Sequence, residues 1–129
     1  MTDTDLVRAV RAYVAAWNTA DDGARRRLLA ESFAEDGCYL DPSAAVVGRE
    51  ALIAHTRAFG QRWPGAVIEL TSGIDEHSGS ACFTWRVRGP GGETLHEGLD
   101  VVSADTDGRL CQVIGFFGGY RSPHLALSL

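Results

Sequence analysis

The 129 residues carry a formal charge of −5 at pH 7, with 45% hydrophobic and 22% charged side chains. This is the composition of an ordinary globular protein, long enough to bury roughly two thirds of its unfolded surface without a disulfide or metal staple. The whole of 1–129 reads as one domain, its acidic balance offers no surface to nucleic acid, and its longest apolar runs are too short to span a bilayer.

The first ten residues, MTDTDLVRAV, are acidic and run straight into a helix, without the basic and apolar segments of a secretion signal. The expectation is a soluble cytoplasmic protein. Cys38, Cys82 and Cys111 fall inside strand-like apolar runs, form no CxxC pair and leave an odd count, so they read as reduced packing residues.

In chain order, Leu6, Val10, Tyr13, Val14 and Trp17 recur at helical spacing behind a capping segment, Thr2 to Asp5. After a break at Asp21-Asp22-Gly23, Leu28, Leu29 and Phe33 mark a second helix ending near Asp36-Gly37. Cys38 to Asp41 alternates as a short strand closed by Pro42. Gly48 leads into a third helix whose apolar face carries Leu52, Ile53, Thr56 and Phe59, ending before Pro64-Gly65. From Ala66 the period changes to two, which predicts strands over 66–74, 80–88, 94–103 and 109–117. The connections, Glu76 to Gly79, Gly89 to Gly92 and Asp105 to Gly108, are short enough for an antiparallel meander. Helices first and a largely antiparallel sheet second define an α+β protein.

Three positions carry chemistry. Tyr13 lies in the first helix within AYVAAWNTAD, Asp41 ends the strand CYLDP, and Asp100 lies in the strand EGLDVV. A phenol and two carboxyls meeting in an apolar cavity form an apparatus for moving a proton next to a carbonyl. Each also has a structural alternative. Asp41 can be a turn carboxylate accepting backbone N–H groups, Asp100 can pair with Arg86 or Arg109, and Tyr13 can be a core ring with its hydroxyl at a rim. His55 is a lone histidine, His77 sits in a predicted turn, His96 stands beside Glu97 in a strand and His124 is in the tail. With no pair at i, i+4, no HExxH and no Cys/His cluster, no metal and no cofactor are expected. RGPGGET reads as a hairpin turn, not a phosphate loop, and Arg25-Arg26-Arg27 as a solvated helix face balanced by Glu31 and Glu35.

The order AYVAAWNTAD, FAEDGCYLDP, GREAL, DGRLCQVIGFFG resembles the nuclear-transport-factor-2-like superfamily, in particular its SnoaL-like and ketosteroid-isomerase-like branches. The resemblance runs from about Leu6 to Gly119. It implies a cone: a strongly curved mixed sheet, of the cystatin-like α+β barrel kind, wrapped around a deep pocket that three helices close. In the ketosteroid isomerases a helix-one tyrosine and a protonated aspartic acid form an oxyanion hole, and a strand-end aspartate shuttles the proton. Tyr13, Asp100 and Asp41 would fill those places.

The period-two rule then nominates lining residues: Tyr39 beside Asp41, Gly98 and Val102 beside Asp100, and Val113, Gly115 and Phe117 on the last strand. Trp17, His55, Phe59 and Trp85 would complete an apolar cavity with a few polar points. Phe33 and Thr56 stand where some relatives back the oxyanion tyrosine with tyrosines, and Trp17 and Trp85 shorten the space. A ligand smaller than a steroid follows. The expectation is an enolising isomerase or cyclase acting on a small apolar carbonyl compound. The alternative is a non-catalytic domain that binds a small hydrophobe or serves dimerisation. No Asp-Arg-Asp arrangement of the limonene epoxide hydrolase type is found. The superfamily resemblance further implies a homodimer, formed on the open sheet face near Arg86 and the C-terminal strand.

Overall fold

The computed structural model describes residues 3–118; His124 lies outside them. The first helix, α1, is Asp5–Trp17, started by the Thr4 hydroxyl, which accepts from the Val7 N–H at 3.2 Å. Its buried face is Leu6, Ala9, Val10, Tyr13 and Ala16. The second, α2, is Asp22–Ser32, with Asp21 as its N-cap, and the third, α3, is Arg49–Arg62. The strands are β1 Phe33–Asp41, β2 Ala44–Val47, β3 Val67–Leu70, β4 Asp75–His77, β5 Ser80–Arg88, β6 Thr94–Ala104 and β7 Leu110–Phe117.

The strands form a curved, unclosed mixed sheet in the order β2-β1-β7-β6-β5-β3, with β4 also on β5. Among the described residues only the β1–β7 pairing is parallel; β5, β6 and β7 are the expected meander. The α+β class and the curved sheet under three helices therefore stand as expected. The helices lie over the concave face, where Val10, Tyr13, Leu29, Phe33, Leu52, Leu110, Val102 and Val113 are all almost fully buried.

Three local readings need correction, and one strand has no counterpart in the sequence reading. Helix two ends at Ser32, not near Asp36-Gly37: Phe33 is extended (φ −128°, ψ 130°) and pairs with Leu110 on β7. Glu35 and Asp36 are both exposed at a register irregularity between Phe33 and Cys38, which breaks the alternation that would have revealed the long strand. Second, Ala44–Val47 is a strand, turned back onto β1 by Pro42-Ser43 with Asp41 opposite Ala44. Third, the run 66–74 divides into β3 and a bend before β4, which places His77 in a strand rather than a turn; Ser78-Gly79, both at positive φ, make the turn. Finally, Arg25 is not solvated. It is buried, donating to Asp22 Oδ1 at 2.8 Å and the Thr19 carbonyl at 2.6 Å, while Arg26 pairs with Asp22 and Glu50.

Candidate active site

Inward-facing residues of the sheet form transverse rows, because successive strand residues alternate faces and paired residues sit side by side. One row runs Trp85, Gly98, Phe117; the next Phe83, Asp100, Gly115; the third Ala81, Val102, Val113, Tyr39. Trp85, Phe117, Phe83 and Asp100 of the first two rows and Tyr39 of the third, with residues of α1 and α3, line a cavity of about 580 Å³. Tyr13, Trp17, Tyr39, Asp41, His55, Phe59, Trp85, Asp100 and Phe117 all line it. Val102 and Val113 do not: they pair with each other in the third row and are wholly buried in the packed core.

Two aromatic groups make its walls. Trp17 stands 5.6 Å from Tyr39, 5.6 Å from His55 and 5.5 Å from Phe59, ring centre to ring centre. Opposite, His96 lies 4.4 Å from Phe117 and 5.5 Å from Trp85. His96 and Phe83 are cavity residues that the sequence reading passed over, although His96 has the parity of Gly98 and Asp100, and Phe83 that of Trp85. Ser43 also lines the cavity.

The two carboxyls have different surroundings. Asp41 ends β1, and its Oδ1 accepts from the Ser43 N–H at 2.7 Å and hydroxyl at 2.8 Å, while Oδ2 accepts from the Tyr39 hydroxyl at 2.5 Å. Burial alone would raise its pKa, but the Tyr39 and Ser43 hydrogen bonds, helped by nearby His55, outweigh it and hold Asp41 below its ordinary value. Asp100 lies mid-strand, is buried, and accepts one hydrogen bond, from Trp85 Nε1 to Oδ1 at 2.9 Å. Burial pushes it up to about 7; the Trp85 bond opposes this and the Asp41 charge adds to it. Neither Arg86 nor Arg109 pairs with it: Arg86 binds Glu69, and Arg109 donates to the Ala30 carbonyl.

Tyr13 is held far above its ordinary pKa by burial, then by the neighbouring Asp100, so it is a neutral O–H donor. Burial, followed by the Asp41 hydrogen bond, likewise keeps Tyr39 protonated. Burial lowers the His55 pKa against the pull of Asp41. Among the described residues no cluster of three or more His, Cys, Asp or Glu could hold a metal ion, and no helix is long and apolar enough to cross a membrane.

The SnoaL-like domain model matches residues 10–113. A solved structure from Agrobacterium tumefaciens strain C58, named as a candidate isomerase of the SnoaL-like family, is 35% identical, with 91% of this chain and all of that one covered at a TM-score of 0.84. A candidate SnoaL-like polyketide cyclase from Jannaschia sp. CCS1 shares the fold at 17% identity, TM-score 0.71, covering 98% of this chain and 94% of its own. A protein of unknown function with a cystatin-like fold from Methylobium petroleophilum PM1 does so at 13% identity, TM-score 0.75, covering 95% and 82%. No curated protein matches the chain. The chain belongs to the SnoaL-like domain family.

Proposed function

We propose that this protein catalyses proton transfer, as an enolising isomerase or cyclase, on a small apolar carbonyl compound. The observation that carries the reading is that one apolar cavity holds an aspartate kept ionised, Asp41, and another biased toward its neutral form, Asp100. In the isomerisation Asp41 takes a proton from the carbon beside the carbonyl and returns it at a second carbon; in a cyclisation the enolate carbon bonds to a second carbonyl carbon of the same molecule and that oxygen takes the proton, so neither needs an oxidant or cofactor. The Asp41 carboxylate has about four lone-pair sites, so three hydrogen bonds leave it one acceptor for the substrate proton. As charge gathers on the carbonyl oxygen, the Tyr13 hydroxyl and neutral Asp100 donate to it. His55, Trp17 and Phe59 shape the apolar wall and select the ligand.

The same three hydrogen bonds on Asp41 favour a second reading, because they also describe a carboxylate that caps a turn. In that case the cavity binds a small hydrophobe without chemistry. Turnover of a panel of small cyclic and acyclic enones by the wild type and by Asp41→Asn separates the two. The first reading expects isomerised product and its loss in the variant; ligand binding with no product from any enone returns the protein to the binding class. We further propose a homodimer formed on the outer sheet face, where Val101 and Phe116 are exposed beside Leu99 and Ile114.

A further inference from the structure

Trp85 and Gly98 are paired directly across β5 and β6, and Asp100 follows Gly98 on the same face. A Cβ at Gly98 would lie 2.5 Å from Cζ2 and 3.0 Å from Cε2 of the indole. The missing side chain is what lets the ring lie across β6, and lying there it brings Nε1 within 2.9 Å of Asp100 Oδ1. On the other side Gly115 is paired with Asp100, and a Cβ there would come within 3.1 Å of the same Oδ1. Two glycines thus hollow out the place where one oxygen of Asp100 meets one N–H.

We propose that Trp85 is the positioning residue of this site: its indole N–H commits Oδ1 of Asp100 as an acceptor, so the acid proton sits on Oδ2 and is offered to the ligand's oxygen. An indole nitrogen can only donate. Protonated, Oδ1 would be a hydroxyl oxygen, a weaker acceptor for the indole N–H at 2.9 Å than a carbonyl oxygen, so the contact favours the form with the proton on Oδ2. Among the described residues no hydrogen bond occupies Oδ2. The arrangement fixes before ligand arrives a choice that a freely rotating carboxyl would have to make on binding, which is the kind of preorganisation that strengthens oxyanion binding. The inference rests on the donor role of Asp100 given above.

The other titratable groups facing Asp100 are Tyr13 on α1 and Tyr39 and Asp41 on β1. His55 on α3 faces Asp41, and His96 on β6 lies against the Trp85 ring. Trp85→Phe leaves all of these in place and removes the indole donor. Its test is the carboxyl ¹³C NMR titration of Asp100, which needs neither substrate nor turnover. Losing a donor to the carboxylate makes ionisation harder, so the midpoint rises, by roughly one pH unit. A tryptophan that served only as filler predicts the opposite sign, because a smaller ring lets water reach Asp100 and the midpoint falls. An unchanged or lowered midpoint overturns the proposal.

Binding of 2-naphthol, followed by fluorescence at pH 6, reads the proton's position: affinity falls about three- to tenfold in Trp85→Phe, and equal affinity overturns the Oδ2 assignment. Should Trp85→Phe fail to fold, the same titration on the chain carrying benzothienylalanine at position 85, which keeps the shape and lacks the N–H, decides the matter. A raised midpoint in a protein that turns over no enone supports the role of Trp85 and removes the proton-transfer reading instead.

Discussion

Asp41 ends a strand with three hydrogen bonds from Tyr39 and Ser43, whereas Asp100 sits in mid-strand with a single indole donor. The unfolded chain releases the Asp100 proton near pH 4, while the folded chain keeps it up to about 7. Between those values the folded state binds more protons, so this carboxyl makes folding less favourable as pH rises from about 4 to about 7, and by a constant amount above. Asp100→Asn, which can still accept from Trp85, is therefore expected to unfold like the wild type near pH 4 and to exceed its stability at pH 8, by up to about 4 kcal/mol. Denaturant melts at both pH values measure it; equal stability at pH 8 would mean that burial does not suppress Asp100 ionisation. For turnover, ionising Asp100 removes a donor and adds a second negative charge, so kcat/KM should decline above about pH 7. Asp41→Asn should cost about 10²–10⁴-fold in kcat, whereas His55→Phe should move KM and ligand preference more than kcat. Loss of turnover in His55→Phe alone would reverse the two roles.

The site is held at the level of elements by the β5–β6–β7 meander, whose two glycines differ in how tightly they are enclosed. A Cβ at Gly98 would come within 2.2 Å of the Phe116 carbonyl oxygen, a backbone atom that cannot step aside. At Gly115 the nearest atoms are side-chain ones, Asp100 Oδ1 at 3.1 Å and Asp41 Cβ at 3.4 Å. Gly98→Ala should thus destabilise the fold by about 1–3 kcal/mol or more. Gly115→Ala should cost less stability and show itself in the site, by displacing the Asp100 carboxyl. Unfolding by denaturant alongside 2-naphthol binding separates the two; a larger stability loss at Gly115 would contradict this ranking.

Across the whole molecule, the sheet's two faces have opposite fates. Its concave face is filled by core and cavity, while its convex face presents Leu99 paired with Phe116 and Val101 paired with Ile114, with Phe116 54% and Val101 37% exposed. An apolar stripe across two central strands is unusual for a surface left in water. Sedimentation at micromolar concentration is expected to give a dimer, and Phe116→Glu to give a monomer with its fold and Asp100 titration intact. A wild-type monomer at that concentration would dismiss the dimer.

Periodicity was enough to read the three helices, the meander and the α+β class, because apolar spacing of 3.6 or 2 reports which face of an element is buried. The motifs also contain Tyr13, Asp41 and Asp100, which line one cavity, and parity along β6 would have added His96. Other features depended on partners distant in sequence. Phe33 leaves α2 because Leu110 on β7 pairs with it, and Ala44–Val47 is a strand because β1 lies beside it. Val102 and Val113 share the inward face with Asp100 and Gly115, yet they are wholly buried in the packed core while Tyr39 of the same row lines the cavity, a difference that alternation cannot encode. The contrast between the two aspartates was suggested by their flanking residues, but its cause lies in tertiary structure: the folded chain buries Asp100 with one opposing donor, an indole that reaches across a glycine from the neighbouring strand, and it leaves Asp41 less buried with hydrogen bonds from a tyrosine and a serine.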